Sequence, residues 1–454
     1  MKQGHPASGL EPVVAELLAG PWSPEKDFLY GTTSFAAVYA MAAHLRTVFT
    51  DRNEELVCLA TEDKGLIAAA FLAALAGGPV LLLPHALSKQ ALTDMQTATG
   101  VSVAIGDVAR ELPAGMEMMC PEWDMADPAG TVPLANSGGE VLRLFTGGST
   151  GVPRLWAKTS TNIIGEALFL AEYFAVTRSD RIVATVSPCH IYGLLYSVVL
   201  PLVTGASVVP ATPAFPGEIV EAVTATEATV LVSIPAHYRA LRGKPSLGPF
   251  LRLALSSAGP LDEEDNNAFC QHNPAGIVEV YGSTETGGVG LRHRGRGEKA
   301  FKPYATVACN LADQHLRIRS PYLSPDLTLD REGWFVTGDR AQAHGRDGFV
   351  LKGRADSITK VGGKRVDLEE IRTLIRAQAG VLDCAVLAVA EQGGRGHRIV
   401  ALVAGQGVDA PELRRMLAAR LEPHALPRRI RVVDALPMTA SGKHDRRAMQ
   451  ELIR

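Results

Sequence analysis

Apolar and polar positions along this chain follow two periods that take turns. Short runs of aliphatic and β-branched residues predict strands at 56–60, 80–83, 101–105, 182–185, 207–209, 229–233, 251–255 and 277–281. Longer stretches between many of them repeat their apolar residues every three to four positions. Segments 161–175 and 216–225 are examples, and they predict helices. Regular β–α alternation predicts a layered α/β architecture with largely parallel sheets. No internal repeat or low-complexity tract interrupts it.

Two long uncharged runs, 65–84 and 191–216, raise the question of a membrane span. A spanning helix needs about 20 unbroken apolar residues. The first run is broken by Gly77, Gly78 and Pro79, the second by Pro201 and Gly205. Each therefore reads as a buried helix, a glycine stop and a β-rich strand, with no membrane span.

The texture changes near Gly345. A turn signal at Gly345-Arg346-Asp347-Gly348 precedes Phe349-Val350-Leu351 and then Lys352-Gly353-Arg354-Ala355-Asp356. The remaining residues carry their own α+β pattern, with helices at 368–377 and 411–421 and strands at 384–389, 399–403 and 429–433. The expected organisation is a large N-terminal domain of layered α/β sheets, 1–354, followed by a small α+β C-terminal domain, 355–454.

Composition narrows the class further. With 454 residues, 46% hydrophobic and 20% charged, the chain can build a sizeable core in two or three domains. A formal net charge of −3 gives no electrostatic argument for nucleic acid or an anionic membrane surface. The six cysteines are scattered, without a CxxC pair or metal-ligand spacing, and read as free thiols of a reducing compartment. The first residues, Met1-Lys2-Gln3-Gly4-His5-Pro6, have no apolar signal stretch, which points to the cytoplasm.

Four motifs carry candidate chemistry. Thr146-Gly147-Gly148-Ser149-Thr150-Gly151, with Arg154 three positions on, follows the apolar run 141–145. Its small residues can present backbone N–H groups and hydroxyls to phosphate oxygens, or simply turn the chain. It lacks the ending of a Walker loop. Tyr281-Gly282-Ser283-Thr284-Glu285 begins where a strand is expected to end at the tyrosine. Ligands of open α/β sheets bind beyond such strand ends, and Glu285 suits magnesium held against a triphosphate, or the segment is an ordinary turn. Asp339, in Gly333–Asp339, can accept from two ribose hydroxyls or cap a turn. Lys443 sits on a Ser-Gly loop near the C-terminus, the usual setting of a solvated lysine.

In this order and register the motifs resemble the adenylate-forming superfamily of acyl-CoA synthetases, firefly-type luciferases and peptide-synthetase adenylation domains. The resemblance runs from about residue 56 to the C-terminus. It draws in three further segments. Ser187-Pro188-Cys189-His190-Ile191-Tyr192-Gly193 is similar to the family's P-x-x-H-x-x-G stretch beside the carboxylate, with the proline one residue nearer the histidine. Ala258, Gly259 and Pro260 lie in what looks like its adenine-contacting turn. Residues 356–365 look like its hinge and following loop.

The resemblance implies ATP, magnesium and coenzyme A, or the phosphopantetheine of an acyl carrier protein, with a small carboxylic acid as substrate. It implies that residues 146–151 and Arg154 cradle the leaving phosphates. Thr284 would bond the α-phosphate, Glu285 ligate magnesium, and Asp339 with Arg354 hold the ribose end. Lys443 would bridge acid and α-phosphate as a point charge. The small domain would then pivot about Asp356, withdrawing Lys443 and bringing Lys360 and Gly362-Gly363 to the thioester step.

This chain departs from the family pattern at Gly147, a usual serine, and Arg154, a usual lysine. The span from Glu285 to Asp339 is also shorter than the family's. Within it, Arg292-His293-Arg294-Gly295-Arg296 reads as a solvated basic loop, with a carrier protein or a coenzyme A phosphate as its functional alternative. An amine-bearing acid would need a buried carboxylate partner, and His190-Ile191-Tyr192-Gly193 supplies none. Leu194, Leu195, Tyr196 and Val199 suit an apolar pocket for an aryl or short-to-medium aliphatic acid, or a helix core. Three functional readings follow: an acid–coenzyme A ligase, a ligase loading an acyl carrier protein, and a degenerate nucleotide-binding regulator.

Overall fold

A computed structural model describes residues 10–123, 139–146, 154–354, 357–361, 364–390, 397–439 and 444–453. Backbone packing divides the chain into two units. The first takes Met1–Ala308 with Arg319–Asp330, and the second takes Cys309–Ile318 with Arg331–Arg454. The domain change expected at 354–355 lies within this second unit, beside residues 355–356, which are outside the described residues.

Two sheets organise the first unit. In the six-stranded one, Glu117–Met119, Val103–Ile105, Leu56–Leu59, Val80–Leu83 and Glu140–Thr146 run parallel, and Arg154–Thr159 closes the edge antiparallel. In the nine-stranded one, Asp27–Leu29, Ser207–Val208, Arg181–Ala184, Val230–Ser233, Leu253–Ser256 and Ile277–Ser283 form a parallel block in that spatial order. The predicted α/β layering and the predicted strands are there, with ends shifted by one or two residues.

Both uncharged runs fold as predicted. Lys64–Leu75 is a helix buried on every side, started by the Asp63 carboxylate accepting from the Leu66 N–H, and strand Val80–Leu83 follows it. The second run forms helix Ile191–Leu194, a π-helical turn Leu195–Val199 and helix Leu200–Thr204, stopped by Gly205 with φ at 72°. No helix among the described residues is long and apolar enough to cross a membrane.

In the second unit, strands Phe335–His344 and Gly348–Arg354 form a hairpin within a four-stranded sheet. Ile358–Val361 and Lys364–Asp367 make a two-stranded ribbon. Val381–Ala390, His397–Gly405 and Arg429–Val433 make a three-stranded sheet. Helices Leu368–Arg376 and Ala410–Ala418 cover one face of that sheet, burying Ile371, Ile375, Leu413 and Leu417 against Cys384, Ile399, Ala401 and Val403.

Candidate active site

Parallel strands deliver whatever follows them to one edge of a sheet, and three predicted segments follow strands of the parallel block of the nine-stranded sheet. His190 follows Arg181–Ala184, Ala258-Gly259-Pro260 follow Leu253–Ser256, and Thr284-Glu285 follow Ile277–Ser283. This carboxyl edge is where ligands of open α/β sheets bind.

Each segment is tied down by its own chemistry. Ser187 Oγ donates to Glu62 Oε1 at 2.5 Å, and Cys189 Sγ donates to the Thr61 carbonyl at 3.2 Å. The helix after His190 passes so close that a Cβ on Gly193 would stand 2.0 Å from the Ser187 carbonyl oxygen. Only glycine fits that crossing, which explains the last residue of the segment. Ala258 holds φ at 70°, a strained value for a residue with a Cβ, and such outliers gather at functional sites. Its turn is pinned by Glu279, whose Oε1 accepts from the Leu261 N–H at 3.1 Å, and by Ser257 Oγ, which donates to the Val280 carbonyl at 2.8 Å.

Strand Ile277–Ser283 does not end at Tyr281, as the sequence reading expected. It runs on into a hairpin with Gly287–His293, shifting register between Tyr281 and Gly282. Small residues allow the continuation, since a Cβ on Gly282 would lie 2.4 Å from the Gly287 carbonyl oxygen. Ser283 and Thr286 hydroxyls close the turn at 2.9 Å, leaving Thr284 and Glu285 at its tip. The expected solvated basic loop is corrected in part, since Arg296 is exposed as expected while Arg292 and Arg294 are not. Arg292 and Arg294 pair with the buried Glu279 at 2.6 and 3.6 Å and are mostly buried themselves. A buried carboxylate needs such partners, and they hold the loop against the strand.

Beneath the turn lies a pair that the sequence reading missed. Lys158 and Glu166 are 1% and 3% exposed. Lys158 Nζ donates to the Tyr322 carbonyl at 2.8 Å, and Glu166 Oε1 accepts from the Gly288 N–H at 2.8 Å. Burial pushes the Lys158 ammonium down in pKa, opposed by Glu166 and Glu285; burial pushes the Glu166 carboxyl up, opposed by Lys158. The signal in sequence was a lysine closing the apolar run 155–157 and a glutamate among the buried positions of a helix. Also missed was His237, whose Nδ1 lies 2.8 Å from Thr185 Oγ1 at the same sheet edge; burial lowers its pKa.

The base of the predicted phosphate loop is an antiparallel pair, Thr146 with Arg154, and Thr146 Oγ1 donates to the Arg154 carbonyl at 3.2 Å. Gly147, Gly148, Ser149, Thr150 and Gly151 lie outside the described residues.

In the second unit, Asp339 and Arg354 face each other across one hairpin, with Arg354 Nη1 3.6 Å from Asp339 Oδ1. A predicted ribose acceptor and a cation thus share one place. Lys360 lies on the ribbon opposite Arg365. Ser357 Oγ donates to the Arg354 carbonyl at 2.5 Å and to Asp367 Oδ1 at 3.1 Å, on the far side of Asp356. Asp356 and Lys443 lie outside the described residues. The base of the Lys443 loop is nevertheless defined. Met438 bridges His444, the Asp445 N–H donates to the Pro437 carbonyl at 2.9 Å, and His444 Nε2 lies 2.8 Å from Asp383 Oδ2.

A metal fits only in one mode. Among the described residues no group of three or more His, Cys, Asp or Glu could hold an ion alone. Glu285 offers a single carboxylate on an accessible turn, which suits magnesium, an ion that takes one or two carboxylates and completes its shell with phosphate oxygens and water.

Comparison with known proteins identifies the family. A family model described as AMP-binding enzyme matches residues 23–326, and one described as AMP-binding enzyme C-terminal domain matches 370–443. A putative acyl-CoA synthetase of Bacillus subtilis is 25% identical over 68% of this chain, and an anthranilate–CoA ligase of Pseudomonas aeruginosa is 28% identical over 68%. The aligned stretches take in 62% and 66% of those two relatives, less than two thirds of each. A benzoate CoA ligase from Burkholderia xenovorans shares the fold at a TM-score of 0.79 and 21% identity, over 96% of this chain and 99% of that one. The chain is a member of the AMP-binding enzyme family, within the adenylate-forming superfamily.

Proposed function

We propose that the protein is an ATP-dependent carboxylic acid–thiol ligase, making an acyl adenylate and then a thioester with coenzyme A. The observation that carries this reading is the convergence of the His190, 258–260 and Thr284–Glu285 segments on one sheet edge. Supporting it, the similar proteins include ligases named for coenzyme A.

A carboxylate is a poor electrophile, so it first needs a leaving group. In the proposed reaction a carboxylate oxygen forms a bond to the α-phosphorus of ATP, and the bond to the bridging oxygen breaks, releasing pyrophosphate. Catalysis of this step is positioning and charge stabilisation. Residues 146–151 with Arg154 surround the leaving phosphates, Ala258–Pro260 and Tyr281–Ser283 wall the nucleotide, and Thr284 bonds the α-phosphate. Magnesium held by Glu285 would neutralise charge on the departing oxygens. Asp339 and Arg354 hold the ribose end, and Lys443 bridges the acid and the α-phosphate. His190 stands beside the acid.

In the second step the thiol sulfur attacks the acyl carbon, loses its proton, and AMP leaves. A pivot about Asp356 exchanges Lys443 for Lys360 and the Gly362-Gly363 loop between the steps. The acid is aryl or short-to-medium aliphatic. An α-amino acid lacks a carboxylate partner at 190–193, where Tyr192 packs edge to face with Tyr196 at 5.1 Å.

The test follows thioester formation with ATP, magnesium and a panel of aryl and aliphatic acids, offering free coenzyme A or an acyl carrier protein. Product on coenzyme A is the expected result. Product only on the carrier would transfer the reading to a carrier-loading ligase. Acid-independent ATP binding without any product would contradict ligation altogether.

A further inference from the structure

Segment 321–326 joins two parts of the first unit that lie far apart in sequence. Toward one side, Asn162 Nδ2 donates to the Pro321 carbonyl at 2.7 Å, Lys158 Nζ to the Tyr322 carbonyl at 2.8 Å, and the Ala157 N–H to Asp326 Oδ2 at 2.8 Å. These three residues lie just beyond the predicted phosphate loop, where strand Arg154–Thr159 passes into helix Ser160–Tyr173. Toward the other side, the Ser324 N–H donates to the Glu285 carbonyl at 2.8 Å. The segment is therefore a strut between the exit of one motif and the tip of another.

Glu166 holds the same turn from below. Its Oε1 accepts from the Gly288 N–H, and a Cβ on Gly287 would come within 2.8 Å of its Oε2 and 2.6 Å of Tyr322 Cβ. Gly287 sits at φ 66° and has no room for a side chain, so the turn is seated directly on the carboxylate and the strut. Neither Lys158 nor Glu166 is needed to fill the core, where an apolar residue would cost less. A buried cation and a buried carboxylate, each hydrogen-bonded to main chain of this one turn assembly, have a directional use that apolar packing lacks.

We infer that Lys158 and Glu166 are positioning residues, which through the 321–326 strut and Gly288 fix the Thr284–Glu285 turn relative to strand Arg154–Thr159 and the start of the helix after it. The inference rests on the proposed reading of Thr284 and Glu285 as nucleotide and magnesium contacts. The pair touches neither nucleotide nor metal. It sets where the turn stands before they arrive.

Hydrogen exchange on the ligand-free full chain tests the positioning without reference to ATP. Lys158→Met and Glu166→Leu should speed exchange of amides in 284–288 about tenfold, the equilibrium effect of one lost hydrogen bond, with strand Leu253–Ser256 still protected. Glu166→Gln, which keeps an acceptor, should exchange close to wild type. Should Lys158→Met not fold, Asp326→Ala opens the same strut at an exposed residue and should act in the same direction. Calorimetry on the same variants should show ATP affinity weakened more with magnesium than without.

Folded variants whose 284–288 exchange matches wild type would overturn the inference. So would faster exchange with unchanged magnesium–ATP affinity, which would make the pair structural only. Wild type that binds no ATP would sink the proposed function instead, and the exchange measurement would still decide whether the turn is positioned by this pair.

Discussion

Several single residues here are fixed by steric or electrostatic necessity. Gly193 is one: an added Cβ would lie 2.0 Å from the Ser187 carbonyl oxygen, far inside contact distance. Gly193→Ala must push the Ser187–His190 segment off its place or part the helix from it. It is expected to cost roughly 1–3 kcal/mol, the usual range for overpacking, read as a lower urea midpoint with unchanged slope. A midpoint equal to wild type would mean the segment yields freely. Glu279 is another, joining the 257–261 turn to Arg292 and Arg294 from inside the sheet. The glycine stood in a recognisable motif, so its position was legible in sequence and only its reason was hidden. Glu279, Lys158 and Glu166 were not legible as anchors, because partners 13 to 164 residues away define what they do.

Among the elements, strands and helices of the large unit could be read from period alone, because buried parallel strands are short unbroken apolar runs and their helices are long ones. The end of Ile277–Ser283 could not be read that way. Gly282, Gly287 and Gly288 look like a loop, yet they permit two backbones to approach closely and continue the ladder. The base of the Lys443 loop also depends on a contact across the chain, His444 with Asp383. Burial alone would raise the Asp383 carboxyl, but the His444 hydrogen bond, supported by Arg376 at 3.9 Å, holds it below the usual carboxylate value. A carboxyl lowered in the folded state contributes stability that is complete above its unfolded value, about 3.9, and is lost as pH falls through the folded one. Asp383→Asn should therefore lose stability near neutral pH and converge on wild type in acid, measured as unfolding free energy against pH. Parallel curves would show that the pair contributes nothing through charge.

Across the whole molecule, the family models fall on 23–326 and 370–443, and the structure forms two units divided near residues 309 and 331. The strands carrying Asp339 and Arg354 therefore group with the C-terminal residues, earlier than composition indicates. A change of texture at Gly345 marks a tight hairpin turn, and a turn looks the same inside a domain as between two. The proposed chemistry places the phosphate loop and Glu285 in the first unit and Asp339, Arg354, Lys360 and Lys443 in the second. In that proposal Lys443 is the residue whose loss most directly separates nucleotide binding from chemistry. The most direct test measures pyrophosphate release with ATP, magnesium and a panel of carboxylic acids, without thiol, for wild type and Lys443→Ala. Acid-dependent release in wild type, falling on the order of 10²–10³-fold in the variant while ATP still binds, is the predicted result for a lost charge-stabilising contact. Release that is absent with every acid, or equal in the two proteins, would contradict it.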